Sequence, residues 1–126
     1  MDGFAHSRAY VVGIDQYAGP LPALQTAGGD ARSLAAVLKD AHHYDDVHLL
    51  IDTDATQTAL MTLLTQTLPQ TVGTDDRVLI YFAGHGVALD GDDGPAGYLL
   101  PQDAKAQDPT SFLPMQAVQK ALAALP

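Results

Sequence analysis

A histidine between two glycines, in Gly84-His85-Gly86, is the part of the sequence best suited to chemistry. Imidazole exchanges protons near neutral pH and serves as a general base or acid. The histidine follows an apolar and aromatic run, Val78 to Ala83, which is typical of a strand buried on both faces of a parallel sheet. Open α/β sheets place their active sites at the carboxyl ends of such strands. The sequence therefore predicts that His85 is catalytic, although a Gly-His-Gly segment can also be only a turn.

The residues beside His85 are predicted to face the substrate. Ala83 and Gly84 precede the histidine, and glycines leave room for a substrate chain beside the imidazole. Gly86 follows it, and its backbone N–H is a candidate donor to an oxyanion. The tripeptide is not a dinucleotide-binding loop, because Val87-Ala88-Leu89 follows where a third glycine should appear.

Composition limits the classes of function. The chain has 126 residues, 47% of them hydrophobic, which indicates one globular domain or part of one. Fifteen acidic residues, all aspartate, stand against six basic ones, and the net charge of −9 argues against nucleic acid or anionic membranes as partners. Cationic ligands or peptides are compatible with that charge.

The chain contains no cysteine, so it holds no disulfide, no thiolate metal site and no thiol nucleophile. The start, Met1 to Arg8, lacks the basic and apolar regions of a signal peptide, and no apolar run reaches the length of a membrane span. A cytoplasmic protein without a cofactor is the expectation.

Apolar periodicity predicts the element order β-α-β-α-β-(β)-α. This order is typical of a three-layer α/β domain with parallel strands and right-handed crossovers. The predicted strands and helices are as follows: strands Ala9 to Ile14, Val47 to Ile51, Val78 to Ala83 and a short one at Tyr98 to Leu100; helices from about Asp30 to Ala41, from about Thr56 to Leu68, and from near Pro114 onward.

The three principal strands would most simply lie in the order 2-1-3, which leaves Val78 to Ala83 at an edge. A long apolar edge strand is an aggregation hazard that proteins normally cover. The last helix also ends at Leu125-Pro126, where a crossover should deliver another strand. We therefore expect at least one further strand, from residues beyond 126 or from another chain.

With these pieces in place, the chain resembles the caspase–metacaspase superfamily of cysteine peptidases. More narrowly, it is similar to the first part of a prokaryotic metacaspase-like (orthocaspase) catalytic domain. The resemblance implies a caspase-like fold with a mainly parallel central sheet, incomplete in this chain. Four segments carry it: Ala9 to Ile14, Leu24 with Gly29-Asp30-Ala31, Leu79 to Gly86, and Tyr98 to Asp103.

The resemblance implies a cysteine endopeptidase in which His85 is the catalytic histidine. In that family the histidine pairs with a cysteine at the end of the next strand, typically within Asp-x-Cys. No residue of this chain can take that role, so residues 1–126 are expected to be the large-subunit-like part of the domain. The implied partners are a peptide or protein substrate and the remainder of the domain with its cysteine strand; alone, the chain should be inactive.

The resemblance also implies a specificity for basic residues. Metacaspases have an aspartate at the entry to helix one, and Asp30 matches it, so its carboxylate would bind arginine or lysine of the substrate. Caspases that cleave after aspartate need arginine in this pocket, and no basic residue lies between Asp15 and Gly29. Gly29 replaces the family's usual asparagine. Asp30 could instead be only a helix cap.

The acidic loop after His85 can be interpreted as a calcium site or as a charged turn. Asp90, Asp92 and Asp93, with Asp103 further on, resemble the loop through which several metacaspases bind activating calcium, a cation that prefers oxygen ligands. The segment is too short for an EF-hand loop and lacks its glutamate. A solvated charged turn is the preferred interpretation.

Two other classes of function compete with the peptidase. The first is a catalytically inactive caspase-like scaffold or regulatory module. An apolar strand ending in Asp-x-Cys downstream would support the enzyme, and a stop codon at position 127 would support the scaffold. The second is a receiver or nucleotide-binding domain, but a receiver needs an aspartate where this chain has Ala83-Gly84-His85.

Overall fold

The computed structural model describes residues 6–19, 21–91, 94–105 and 107–126. Within them, no helix is both long enough and apolar enough to cross a membrane. The elements are strands β1 (His6–Gly13), β2 (Asp46–Ile51), β3 (Asp76–Ala83), β4 (Gly86–Gly91), β5 (Gly94–Leu99) and β6 (Leu113–Pro114), helices α1 (Ala27–Asp40), α2 (Gln57–Thr62), α3 (Leu68–Thr71) and α4 (Met115–Ala123), a π-helical turn (Leu63–Thr67), and 3₁₀ turns at Asp52–Asp54 and Pro109–Ser111.

The central sheet has the strand order β2-β1-β3, and both pairings are parallel. This confirms the order predicted from the apolar runs. The middle strand, β1, is buried on both faces, with Ala9 and Val11 fully buried and Val12 only 2% exposed. Successive side chains of a strand point to opposite faces, so a continuous apolar run contributes side chains to the hydrophobic cores on both faces of the sheet.

The two faces of the sheet are covered by different helices. Ala9 and Val11 pack with Ala31 and Leu38 of α1 on one face. Tyr10 and Val12 face the other core, which includes four leucines of the segment from α2 to α3 and Val118 of α4: Leu60, Leu63, Leu64 and Leu68. The predicted three-layer α/β fold with a parallel central sheet is therefore confirmed.

Strand β3 lies at one edge of this sheet among the described residues, with β1 as its neighbour. All eight of its residues are only partly buried, whereas β1 is buried from Ala9 to Gly13. The difference follows from position, because an edge strand is covered by a neighbour on one side only.

Two predicted helix boundaries are wrong. Helix α1 begins at Ala27, three residues before the predicted start at Asp30. The second helix was expected to stop before Pro69, yet helical structure continues to Thr71. The π-helical turn explains this continuation, because the N–H of Leu68 bonds to the carbonyl of Leu63, five residues back, just before the proline. The shifted register places Pro69 in the first turn of α3, where its missing N–H is tolerated.

The segment after His85 was predicted to be a loop leading to a short strand, and the structure corrects this. Strands β4 and β5 form an antiparallel hairpin, in which Gly86 pairs with Leu99 at one end and Gly91 pairs with Gly94 at the other. β5 also pairs with β6. Glycine and aspartate are rare in strands, so the composition of β4 concealed it.

Candidate active site

His85 lies in the two-residue turn between β3 and β4, at the carboxyl end of the parallel sheet. The sheet reaches this turn intact, because Gly13 pairs with Ala83 and the N–H of Ile14 donates to the carbonyl of Ala83 at 2.9 Å. On the far side, Leu100 donates its N–H to the carbonyl of His85 at 3.0 Å. The histidine therefore lies at the carboxyl end of the parallel sheet, as the apolar strand predicted, and it also bonds to a second sheet that the sequence did not predict.

The imidazole of His85 bonds to the loop that follows β1. Its Nε2 lies 2.7 Å from the carbonyl oxygen of Pro22. A carbonyl oxygen can only accept, so Nε2 carries the hydrogen, and the neutral ring then has its lone pair on Nδ1. Nδ1 is thus the atom that can take a proton from a nucleophile.

A cleft of about 250 Å³ opens beside the His85 ring. Its lining is mainly apolar, and it combines the ring with residues of the hairpin, the loop after β1 and the segment before β6: Leu21, Gly86, Val87, Leu89, Leu100 and Phe112. A half-buried imidazole on the wall of an apolar cleft is typical of a binding or catalytic site. Of the predicted site residues, this cleft brings together His85 and Gly86.

The loop after β1 is fixed by two carboxylates that the sequence analysis did not identify. Asp15 accepts the N–H groups of Ala27 at 2.9 Å and Gly28 at 3.0 Å, so it caps α1. Asp52, which has a positive φ of 48°, accepts the N–H groups of Asp15 at 2.8 Å and Gln16 at 3.1 Å. Asp52 directly follows β2 and Asp15 lies two residues after the end of β1, and a carboxylate just after a strand was the signal available in the sequence.

Asp30 lies in the first turn of α1 and is exposed. Its own N–H donates to the carbonyl of Thr26 at 2.8 Å, and the amides that precede it are capped by Asp15. The alternative interpretation of Asp30 as the helix cap therefore does not hold. Asp30 does not belong to the described lining of the 250 Å³ cleft.

The turn of α1 that carries Asp30 nevertheless packs on the sheet near His85. A Cβ on Gly13 would lie 2.7 Å from both the carbonyl oxygen of Ala27 and the Cβ of Ala31. Gly13 pairs with Ala83, two residues before the histidine. A basic side chain also reaches this end of the sheet, since a Cβ on Gly28 would lie 3.3 Å from Nη1 of Arg32.

The glycines around His85 have different surroundings. A Cβ on Gly84 would lie 2.7 Å from the hydroxyl oxygen of Tyr17, and 3.1 Å from Cε1 of Phe82. The space beside Gly84 is thus taken by Tyr17, and contacts of Ala83 or Gly84 with substrate stay predictions. Gly86 is exposed and opens β4, so its role as an oxyanion donor also stays a prediction.

Tyr17 itself contacts the histidine twice. Its hydroxyl accepts the backbone N–H of His85 at 2.7 Å, and the two rings are 5.0 Å apart with an angle of 47°. Burial raises the pKa of Tyr17; the bond from the His85 backbone opposes that shift, and the charges of Asp15 and Asp52 add to it. The hydroxyl is therefore neutral at physiological pH. No motif in the sequence singles out this tyrosine.

The predicted calcium loop is not assembled within the described part of the chain. Asp92 and Asp93 lie outside the described residues, as does the side chain of Asp90. Asp103 accepts the N–H of Gln57 at 2.9 Å and so caps α2. No group of three histidine or aspartate side chains suited to a metal ion occurs among the residues that are described.

Arg8 lies near the start of β1, at the end of the sheet opposite the site, and it is paired there. Its guanidinium bonds to Asp46 and, at 3.2 Å, to Asp76. Both partners are the first residues of their strands, so this cluster lies at the amino ends of the sheet.

Comparison with known proteins agrees with this architecture. A family model described as a caspase domain matches residues 6–126. No curated protein matches the sequence significantly. Among solved structures, the chain is similar to the crystal structure of protein GSU0716 from Geobacter sulfurreducens, with a TM-score of 0.73 and 18% sequence identity. The similarity covers 95% of this chain but only 46% of that one.

Proposed function

Because the chain belongs to the caspase domain family, we propose that it supplies the catalytic histidine, His85, of a caspase-like cysteine endopeptidase. The observation that carries this proposal is the state of the imidazole: Nε2 is bonded to the Pro22 carbonyl, beside a 250 Å³ apolar cleft. This leaves Nδ1 as the base. The proposal includes the narrower assignment of the chain to the prokaryotic metacaspases, or orthocaspases.

The chemistry follows from that geometry. Nδ1 of His85 accepts the proton of a cysteine thiol, and the thiolate attacks the peptide carbonyl. The resulting imidazolium protonates the departing amine, and water then hydrolyses the thioester. The Pro22 carbonyl can accept from Nε2–H in both the neutral ring and the imidazolium, so it keeps the orientation of the ring fixed through both steps. Gly86 is proposed to donate its N–H to the oxyanion, with Ala83 and Gly84 beside the bound chain.

The nucleophile is proposed to come from a further strand alongside β3, since this chain has no cysteine. Two features support that location. The residues of β3 are all half-buried, with a free edge among the described strands. A small apolar cavity of about 30 Å³, bordered by Ile80 and Phe82 of β3, also lies beneath that strand.

Cleavage after arginine or lysine is proposed from Asp30. Its carboxylate is exposed, and it stands on the helical turn that packs against Gly13, close to the strand end that carries His85. The absence of cysteine keeps a second candidate in view, an inactive caspase-like scaffold or regulatory module.

The test uses the full-length protein encoded by the gene. Reporter peptides ending in arginine, lysine or aspartate are compared, with His85→Ala as the variant and His42→Ala, an exposed histidine after α1, as its control. Loss of a general base should lower kcat/KM by roughly 10²- to 10⁴-fold, and the control should retain activity. Cleavage that survives His85→Ala would refute the assignment. A folded full-length protein that cleaves none of the peptides would favour the scaffold.

A further inference from the structure

We propose that Tyr17 is a positioning residue for His85, its hydroxyl fixing the backbone from which the imidazole extends. The kinetic part of this inference rests on the peptidase function proposed above. The structural part does not, because the contact exists whatever reaction the histidine serves.

The contact is specific to a hydroxyl. Tyr17 Oη accepts the N–H of His85 at 2.7 Å, and the two side-chain rings also pack, 5.0 Å apart. The same oxygen occupies the space beside Gly84, where a Cβ would lie 2.7 Å from it. Phenylalanine would keep the ring contact and lose the hydrogen bond, so the two contributions can be separated.

Tyr17 can act as an anchor because its own loop is held in place. The N–H of Gln16 donates to Asp52 at 3.1 Å, and the N–H of Ala18 donates to the carbonyl of Gln102 at 3.0 Å. Gln102 is buried and in turn bonds through its N–H to the carbonyl of Ala55. The tyrosine ring also packs against two of the hydrophobic clusters.

His85 is consequently restrained at three points. Tyr17 takes its N–H, Leu100 donates to its carbonyl, and Pro22 accepts from its ring. Removing the hydroxyl leaves a half-buried backbone N–H without an acceptor, which frees the turn to move. Proton transfer requires reacting atoms within about 3–3.5 Å, so small displacements of the imidazole reduce turnover.

The structural test compares Tyr17→Phe with Tyr81→Phe in the full-length protein by amide hydrogen exchange, read by NMR. Tyr81 lies on β3, the strand that leads to His85, and packs in the core that faces α1, so it is a tyrosine control away from the Tyr17 contact. Loss of one hydrogen bond should accelerate exchange at the His85 amide by about tenfold in Tyr17→Phe. The control should leave that amide unchanged. Equal exchange in the two variants would overturn the proposal.

A second variant perturbs the same contact while the Tyr17 hydroxyl is still present. Gly84→Ala puts a Cβ against the Tyr17 hydroxyl and should also speed exchange at His85. In the Tyr17→Phe background that clash is largely relieved, although the Phe82 ring remains nearby, so Gly84→Ala should add less. Fully additive effects of the two substitutions would show that the hydroxyl does not link Gly84 and His85, and would overturn the proposal.

The kinetic test separates this inference from the proposed function. In an active full-length enzyme, Tyr17→Phe should lower kcat about tenfold and leave KM within about twofold. Active sites are counted with a thiol-reactive peptide, so that kcat is expressed per active molecule. An altered His85 amide with unchanged kcat would overturn the positioning role. If the unmodified protein cleaves no peptide, the peptidase proposal fails, while the exchange experiment still decides the Tyr17 contact.

Discussion

Nε2 of His85 lies 2.7 Å from the carbonyl oxygen of Pro22, although the two residues are 63 positions apart in the chain. The bond joins the turn after β3 to the loop after β1. That loop also contains Tyr17, which holds the backbone of the same histidine. The site is therefore built from two segments that parallel pairing of β1 and β3 brings to one edge of the sheet.

Asp30→Ala should alter specificity and leave folding intact. The residue is exposed in the first turn of α1, and its carboxylate is proposed to bind a cationic substrate side chain. Loss of a charge-assisted contact should reduce the ratio of kcat/KM for arginine over an uncharged residue by about tenfold or more. Asp40→Ala, at the other end of the same helix, is the control. Unchanged selectivity in Asp30→Ala would remove Asp30 from the site.

Asp15→Ala should destabilise the fold. Its carboxylate accepts two N–H groups at the start of α1, one of them from the buried Gly28. Loss of such a cap costs about 1–2 kcal/mol of unfolding free energy, measured by urea denaturation. Asp75→Ala, in an exposed loop before β3, should change it by no more than about 0.5 kcal/mol. A similar loss in the two variants would contradict the capping role.

Two glycine substitutions should act in opposite directions. In Gly13→Ala the new Cβ would meet the Ala27 carbonyl and the Ala31 Cβ at 2.7 Å, which forces α1 away from the sheet. Overpacking of this kind costs about 1–3 kcal/mol. Gly29→Ala lies in the same helix with nothing within 4 Å of its Cβ, and it should stabilise the protein by roughly 0.5–1 kcal/mol. Thermal or urea unfolding of the two variants checks the sign of each effect.

Alkaline pH should weaken the fold partly through Tyr17. Burial, the largest cause, raises its pKa above the ordinary 10.0, so the folded protein holds the phenol proton more tightly than the unfolded chain does. The associated stability is fully present below pH 10 and is lost as the pH rises through the raised value. Tyr10 shifts in the same direction, again mainly through burial. Tyr17→Phe should therefore reduce the slope of unfolding free energy against pH above about 10, and Tyr81→Phe serves as its comparison.

Much of the fold was predictable because the relevant signals are local. The apolar run Val78 to Ala83 indicated a strand, and its exit placed His85 at the carboxyl edge. The start of α1 was not predictable in this way, because the group that caps it, Asp15, lies outside the helix and reaches it only after the loop has folded. Strand β4 was missed because its stability comes from pairing with β5 rather than from its own composition.

The sequence alone determined the sheet order and the location of the histidine, since long apolar runs have few ways to be buried and glycines mark where a strand turns. Only the tertiary structure decided which groups hold that histidine. Tyr17 and His85 are 68 residues apart, and Tyr17 has no local pattern that links it to the imidazole. The pairing arises from the register of β1 against β3 and from the folded path of a loop, both of which depend on distant contacts.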